Sequence, residues 1–225
     1  MKQLTPAPDW LIEKPIAHRG LHDVSQGRIE NSFGAFEASI EAGYPIELDL
    51  RWSKSHEPIV FHDETLDRVT SEDGAARDYS IEELSKIQLL DTSDTIRTLQ
   101  ENLDFIGGRV PIVIEIKSVP EENSEAFVQS IADVLLQYDG AFAVMSFHHH
   151  ICVHFSAIMP DVPRGLTAEG GEDRTDIHLK AMHDFDLQFV SYDVDELPHP
   201  FVDRMRAEGL PVITWTVNSE EKMAK

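Results

Sequence analysis

Pro45-Ile46-Glu47-Leu48-Asp49-Leu50 alternates apolar and acidic residues without a break. A period of two is the mark of a β-strand, in which every second side chain shares a face. Glu47 and Asp49 therefore point one way, roughly 7 Å apart. Ile46, Leu48 and Leu50 point the other way, toward a core. Like charges at that spacing repel. A divalent cation, which takes carboxylate oxygens, would relieve the repulsion. A strand with one solvated acidic face is the plainer alternative.

Outward from this strand, β-branched runs alternate with amphipathic helical stretches. Upstream, Pro15-Ile16-Ala17 predicts a short strand ending at His18-Arg19-Gly20. Asn31-Ser32 suits the N-cap of a helix over 33–42, which Gly43 closes. Downstream, 58–61 predicts an accessory strand ending at His62-Asp63, before a polar stretch over 64–79. Ser80 with Glu83 and Thr98 with Glu101 are capping boxes that open two helices. Strands follow over 111–117, 141–147, 163–167, 187–192 and 211–217. Helices are predicted between them over 121–138, 148–159, 176–183 and 200–208, and Asn218 is expected to cap one more.

Strands alternating with helices in this way imply βαβ units and a parallel sheet. Seven main strands, near 16, 47, 113, 143, 166, 190 and 214, predict an α/β fold of the (β/α)₈ TIM-barrel type, as a single domain over 1–225. The last helix and eighth strand are expected to be missing from this sequence. An open doubly wound sheet is the alternative. It calls for a glycine-rich phosphate loop after the first strand, and His18-Arg19-Gly20 is not one.

The 225 residues carry 19 basic against 41 acidic side chains, a formal charge of −22. That balance argues against nucleic acid and against an anionic membrane surface as partners. A small anionic substrate remains compatible, provided that a metal and a few cations line its pocket. Cys152 is the single cysteine, so an internal disulfide is excluded. Residues 1–6 lack the apolar core of a signal peptide, and no run is long enough to span a bilayer. A cytoplasmic protein without stable membrane association is expected.

In such barrels the chemistry lies at the C-terminal ends of the strands. His18 and Arg19 end the first strand, Glu47 and Asp49 lie on the second, and Glu115 and Lys117 share a face of the third. His62 follows the accessory run, and Trp215 lies on the seventh strand. Glu47, Asp49 and Glu115 can hold one Mg²⁺ or Ca²⁺. Arg19, as a fork, and Lys117, as a point charge, can neutralise a phosphate, or Glu115 and Lys117 pair only with each other. Two histidines suit acid and base roles near neutral pH. His148-His149-His150 and His154 read as exposed imidazoles at a helix start, since no carboxylate or cysteine nearby completes a zinc set. Cys152 reads as a buried filler. Asp193, Asp195 and Glu196 read as rim surface.

His18-Arg19-Gly20, Glu30-Asn31-Ser32, Glu47-Leu48-Asp49-Leu50, His62-Asp63, Glu115-Ile116-Lys117, Ser146-Phe147 and Trp215-Thr216-Val217-Asn218 occur in this order and at compatible spacing. From about residue 15 onward the chain thereby resembles the glycerophosphodiester phosphodiesterase family. The resemblance implies metal-dependent hydrolysis of glycerophosphodiesters to sn-glycerol 3-phosphate and an alcohol. It implies Glu47, Asp49 and Glu115 as metal ligands, with His18 as base and His62 as acid. Arg19 and Lys117 would touch the phosphate, Trp215 would pack near the glycerol, and Glu30 and Asn31 would line the rim. The attacker implied is the neighbouring glycerol hydroxyl, giving a cyclic phosphate that water opens; direct attack by water is the rival. A lyase that stops at the cyclic phosphate and a non-catalytic metal- and phosphate-binding barrel are the alternatives. The stretch Ser53-Lys54-Ser55-His56-Glu57-Pro58 departs from the Thr-x-Asp-Gly turn of many members.

Overall fold

The computed structural model describes residues 7–225; the reading of residues 1–6 lies outside them. In chain order the strands are β1 (Ile46–Trp52), β2 (Pro58–Val60), β3 (Ile112–Ile116), β4 (Phe142–Ser146), β5 (Arg164–Ala168), β6 (Phe189–Asp193) and β7 (Val212–Trp215). The helices are α1 (Trp10–Glu13), α2 (Phe33–Ala42), α3 (Ile81–Leu84), α4 (Leu99–Ile106), α5 (Glu121–Leu135), α6 (His149–Ile158), α7 (Thr175–Asp184), α8 (Pro200–Ala207) and α9 (Glu220–Met223). The chain forms two compact units, Pro15–Phe142 and the remainder. No described helix is long and apolar enough to cross a membrane.

In the unit Pro15–Phe142, β1 lies between an antiparallel β2, with Leu50 opposite Val60, and a parallel β3, with Asp49 opposite Glu115. Ile46, Leu48 and Leu50 are fully buried, as the alternation predicts. The acidic face is buried too, Glu47 being 4% and Asp49 0% exposed, so it is not a solvated face. The expected strand over 15–17 is reduced to one parallel bridge, Ala17 to Ile46. Ala17 N–H donates to Pro45 O, and Glu47 N–H to Ala17 O. Pro15 has no N–H to extend the ladder, and Arg19 at φ +56° followed by Gly20 at +79° turns the chain away.

Both capping boxes form, at Ser80 and Thr98, and Ser32 caps α2 by accepting from Ala35 N–H. Leu66, Val69 and Ala76, from the polar-looking loop, pack with Ile59, Phe61 and Ile96 in a core of their own. In the Ser53–Pro58 turn His56 takes the left-handed conformation, φ +65°, and its ring stacks on Trp52 at 4.5 Å.

In the other unit β4 to β7 run parallel in sequence order. Their core joins Leu166, Val190 and Tyr192 to Phe201, Val202 and Met205 of α8. Gly165 is required by close packing, since a Cβ there would lie 2.3 Å from the Phe189 ring. Cys152 is buried, as expected of a filler, and burial pushes its thiol up to about 12. His149 stacks on Phe185 at 4.4 Å. The cap expected at Asn218 falls one residue later: Ser219 accepts from Lys222 N–H at 3.2 Å. Asp195 forms a surface ion pair with Lys222 at 2.6 Å.

Candidate active site

β1 and β3 supply the site's floor. Because Asp49 stands opposite Glu115, and both strands alternate, Glu47, Asp49 and Glu115 emerge on one face. Their carboxylate oxygens lie within 4.8 Å of one another, and all three residues are buried. Among the described residues this is the one group of acids, histidines or cysteines so arranged. Glu115 and Lys117 do not pair only with each other: Lys117 Nζ contacts Glu115 Oε1 and also Asp49 Oδ1, the latter at 2.9 Å.

The charges set the protonation. Burial, then repulsion from Asp49 and Glu115, pushes Glu47 well above the usual carboxylate range. Burial alone would raise Asp49 as well, but Lys117, His62 and Arg19 outweigh it and hold that carboxyl below its ordinary value. Glu115 is raised by burial against the pull of Lys117. Lys117 is raised, because its two carboxylate neighbours overcome desolvation. Glu47 Oε2 accepts from Arg19 N–H at 2.8 Å, whereas its Oε1 is buried and accepts no hydrogen bond. A buried carboxylate oxygen without a donor, beside two further acids, fits a hard cation.

Arg19 and Asn31 adopt φ near +55°, which costs an L-residue about 1–3 kcal/mol and is found at functional sites. The contacts account for both. The Arg19 backbone turns its N–H onto Glu47, while its side chain reaches Glu30 at 2.8 Å and Asp49 at 3.5 Å. Asn31, predicted at the rim, is buried beneath the acids instead. Its Nδ2 donates to Asp49 Oδ2 at 2.8 Å, and its Oδ1 accepts from Asp49 N–H. Glu30 binds Arg19 on one side and Arg68 on the other.

His18 is lowered to about 4, by burial first and then by Arg19, against the pull of Asp49. His62 is lowered by burial against the pull of Asp49 and a 2.6 Å contact from its Nδ1 to Asp63 Oδ1. Sequence reading missed Arg68, which binds both Asp63 and Glu30. It lies in an irregular loop with no periodicity to mark it. Reading also passed over Arg51, on the acidic face of β1, whose Nε donates to His62 O at 2.8 Å. That one was open to the alternation argument. Trp215, on β7, belongs to the other unit, where it meets Phe147 edge to face at 5.7 Å.

The family model described as glycerophosphoryl diester phosphodiesterase matches residues 18–225. A glycerophosphodiester phosphodiesterase of Caldanaerobacter subterraneus subsp. tengcongensis is 28% identical, over 93% of this chain and 88% of its own. One of Bacillus subtilis is 26% identical, over 96% and 80%. Among solved structures, an Oleispira antarctica phosphodiesterase in complex with the product sn-glycerol-3-phosphate superposes with a TM-score of 0.82, at 24% identity, over 93% of this chain and 86% of that one. A glycerophosphodiester phosphodiesterase structure from Galdieria sulphuraria gives 0.79, over 100% and 91%. These likenesses show the fold, the (β/α)₈ class to which parallel β/α repeats point. With its family model matched over nearly the whole length, the chain belongs to the glycerophosphoryl diester phosphodiesterase family of enzymes.

Proposed function

We propose that the protein hydrolyses glycerophosphodiesters to sn-glycerol 3-phosphate and an alcohol, using a divalent cation, Mg²⁺ or Ca²⁺, held by Glu47, Asp49 and Glu115. The observation that carries this reading is the buried acidic triangle, its oxygens within 4.8 Å of one another, between two cationic side chains. A bound cation would screen the anionic phosphate and acidify an oxygen attached to it. Everything else falls to the chain's own side chains. Arg19 and Lys117 neutralise phosphate oxygens. Asn31 accepts from the Asp49 backbone N–H and donates to its carboxylate, which orients that carboxylate.

His18, neutral at pH 7 because its pKa lies at about 4, is the base. It takes the proton from the attacking hydroxyl, that of the neighbouring glycerol carbon or of water. His62 is the acid and gives its proton to the departing alkoxide. Asp63, bonded to Nδ1, fixes the His62 ring and opposes loss of its proton. One water is consumed overall; on the cyclic route each histidine regains its starting state by the reverse transfer as water opens the ring, and on direct attack by water the two exchange protons with solvent. Glu30 is assigned to holding Arg19.

Release of glycerol 3-phosphate from glycerophosphoethanolamine tests the reading. Chelation with EDTA is expected to abolish release, and Mg²⁺ or Ca²⁺ to restore it. Release at full rate after exhaustive chelation would overturn the metal assignment. A cyclic phosphate that accumulates and persists would replace the hydrolase with a lyase.

A further inference from the structure

The unit Pro15–Phe142 also holds a cavity of about 270 Å³ whose lining includes none of the residues assigned above. Arg51, Trp52, Glu64, Arg77 and residues 118–120 form its wall. It adjoins the site through the chain itself. Arg51 follows Asp49 by two residues on the same strand face, and Ser118 follows Lys117 directly. Glu64 lies two residues past His62, whose carbonyl accepts from Arg51 Nε at 2.8 Å. A diester held by Arg19 and Lys117, with its leaving oxygen at His62, has this cavity at hand for the departing alcohol.

The cavity's chemistry favours an anion. It holds two guanidinium groups against one carboxylate, and that carboxylate, Glu64, is tied to Arg77 at 3.2 Å. Arg51 uses only Nε in a hydrogen bond; its charge is felt by Glu64, Asp49, Asp63 and Glu115, but among the described residues its two terminal nitrogens make no direct hydrogen bond or ion pair with them. Pro120, also in the wall, is the N-cap of the fifteen-residue α5 and gives it no side-chain cap. An uncapped helix start of that length presents N–H groups and a positive dipole end. Glu121 and Glu122 of its first turn are exposed and take no part in the lining. A quaternary ammonium, by contrast, needs open aromatic faces. The one aromatic here, Trp52, is 8% exposed and covered by His56.

We propose that this cavity is the subsite for the leaving alcohol and that it selects alcohols carrying a carboxylate. The proposal rests on the phosphodiesterase reading above. Glycerophosphoserine and glycerophosphoethanolamine differ only by that carboxylate, so their ratio of kcat/KM isolates its effect. A charged group recognised by paired arginines is expected to favour the serine ester by roughly tenfold. Arg77→Gln, a change at a half-exposed position, and Arg51→Lys should each lower that ratio at least threefold, with thermal melts verifying the fold. Glycerophosphocholine is expected to be the poorest of the three. A wild-type ratio of one or less, or a ratio that survives both substitutions, overturns the subsite while leaving the phosphodiesterase reading intact. Absence of glycerol 3-phosphate from all three esters overturns both.

Discussion

His18 is the residue on which the proposed chemistry turns, and its environment makes a definite forecast. Desolvation and the neighbouring Arg19 disfavour imidazolium, so its pKa falls from 6.5 to about 4. A base works when deprotonated. The ascending limb of kcat/KM against pH is therefore expected near 4, well below an ordinary histidine, and a descending limb is expected below the ordinary histidine value of 6.5, where His62 loses the proton it gives as acid. His18→Ala should remove the ascending limb. His18→Ala and His62→Ala are each expected to reduce kcat by about 10²–10⁴-fold, the range of general acid–base catalysis, with the circular dichroism spectrum unchanged. An ascending limb that stays in place in His18→Ala would assign it to another group. Arg19, Glu47, Asp49, Glu115 and Lys117 were all readable from alternation and strand ends. The depth of Asn31 was not, because a buried side chain under a strand leaves no periodic trace. Arg68 was hidden for a related reason: it acts through contacts 38 residues away in sequence.

At the scale of elements, the periodic segments were recovered from pattern alone. The α2 helix matched the expected 33–42, and both capping boxes formed at Ser80 and Thr98. What failed was local and has physical causes. Pro15 and the Arg19-Gly20 turn cut the first strand to a single bridge. The last cap moved from Asn218 to Ser219, where either side chain had a suitable oxygen. The 64–79 stretch reads only as polar because its apolar residues, Leu66, Val69 and Ala76, follow no period. Gly20 is the junction most sensitive to substitution. It has φ +79°, and a Cβ would sit 2.8 Å from Ala35 Cβ and 2.9 Å from Phe36 Cδ1 of α2. Gly20→Ala is expected to lose about 2–4 kcal/mol, from left-handed backbone strain and overpacking together. The shift of the urea midpoint measures it, and a change under 1 kcal/mol would show that the turn relaxes freely.

For the molecule as a whole, the charge of −22 governs a behaviour that no single contact expresses. Repulsion among 41 acidic groups opposes the compact state. Screening shortens its reach from about 30 Å at 0.01 M salt to about 8 Å at 0.15 M. Raising NaCl across that range, with chelator present, should therefore raise Tm, by roughly 2–4 °C for each kcal/mol of repulsion relieved. A Tm that falls with NaCl would mean that the surface ion pairs, such as Lys222 with Asp195, outweigh the excess charge. Composition foretold this behaviour but not the site. The same acids that repel at the surface become a ligand set only where the two parallel strands bring them into register.

That β1 is enclosed on both sides ties two selective pressures into one inheritance. Inserting or deleting a single residue between Ala17 and Glu47 that slid the strand by one place would turn Leu48 toward the phosphate and drive Glu47 and Asp49 into hydrocarbon. Such an indel would extinguish catalysis and folding in the same event. Changes of length are thus expected to be tolerated in loops, whereas within β1 only the exchange of one side chain for another in place keeps both faces where they are.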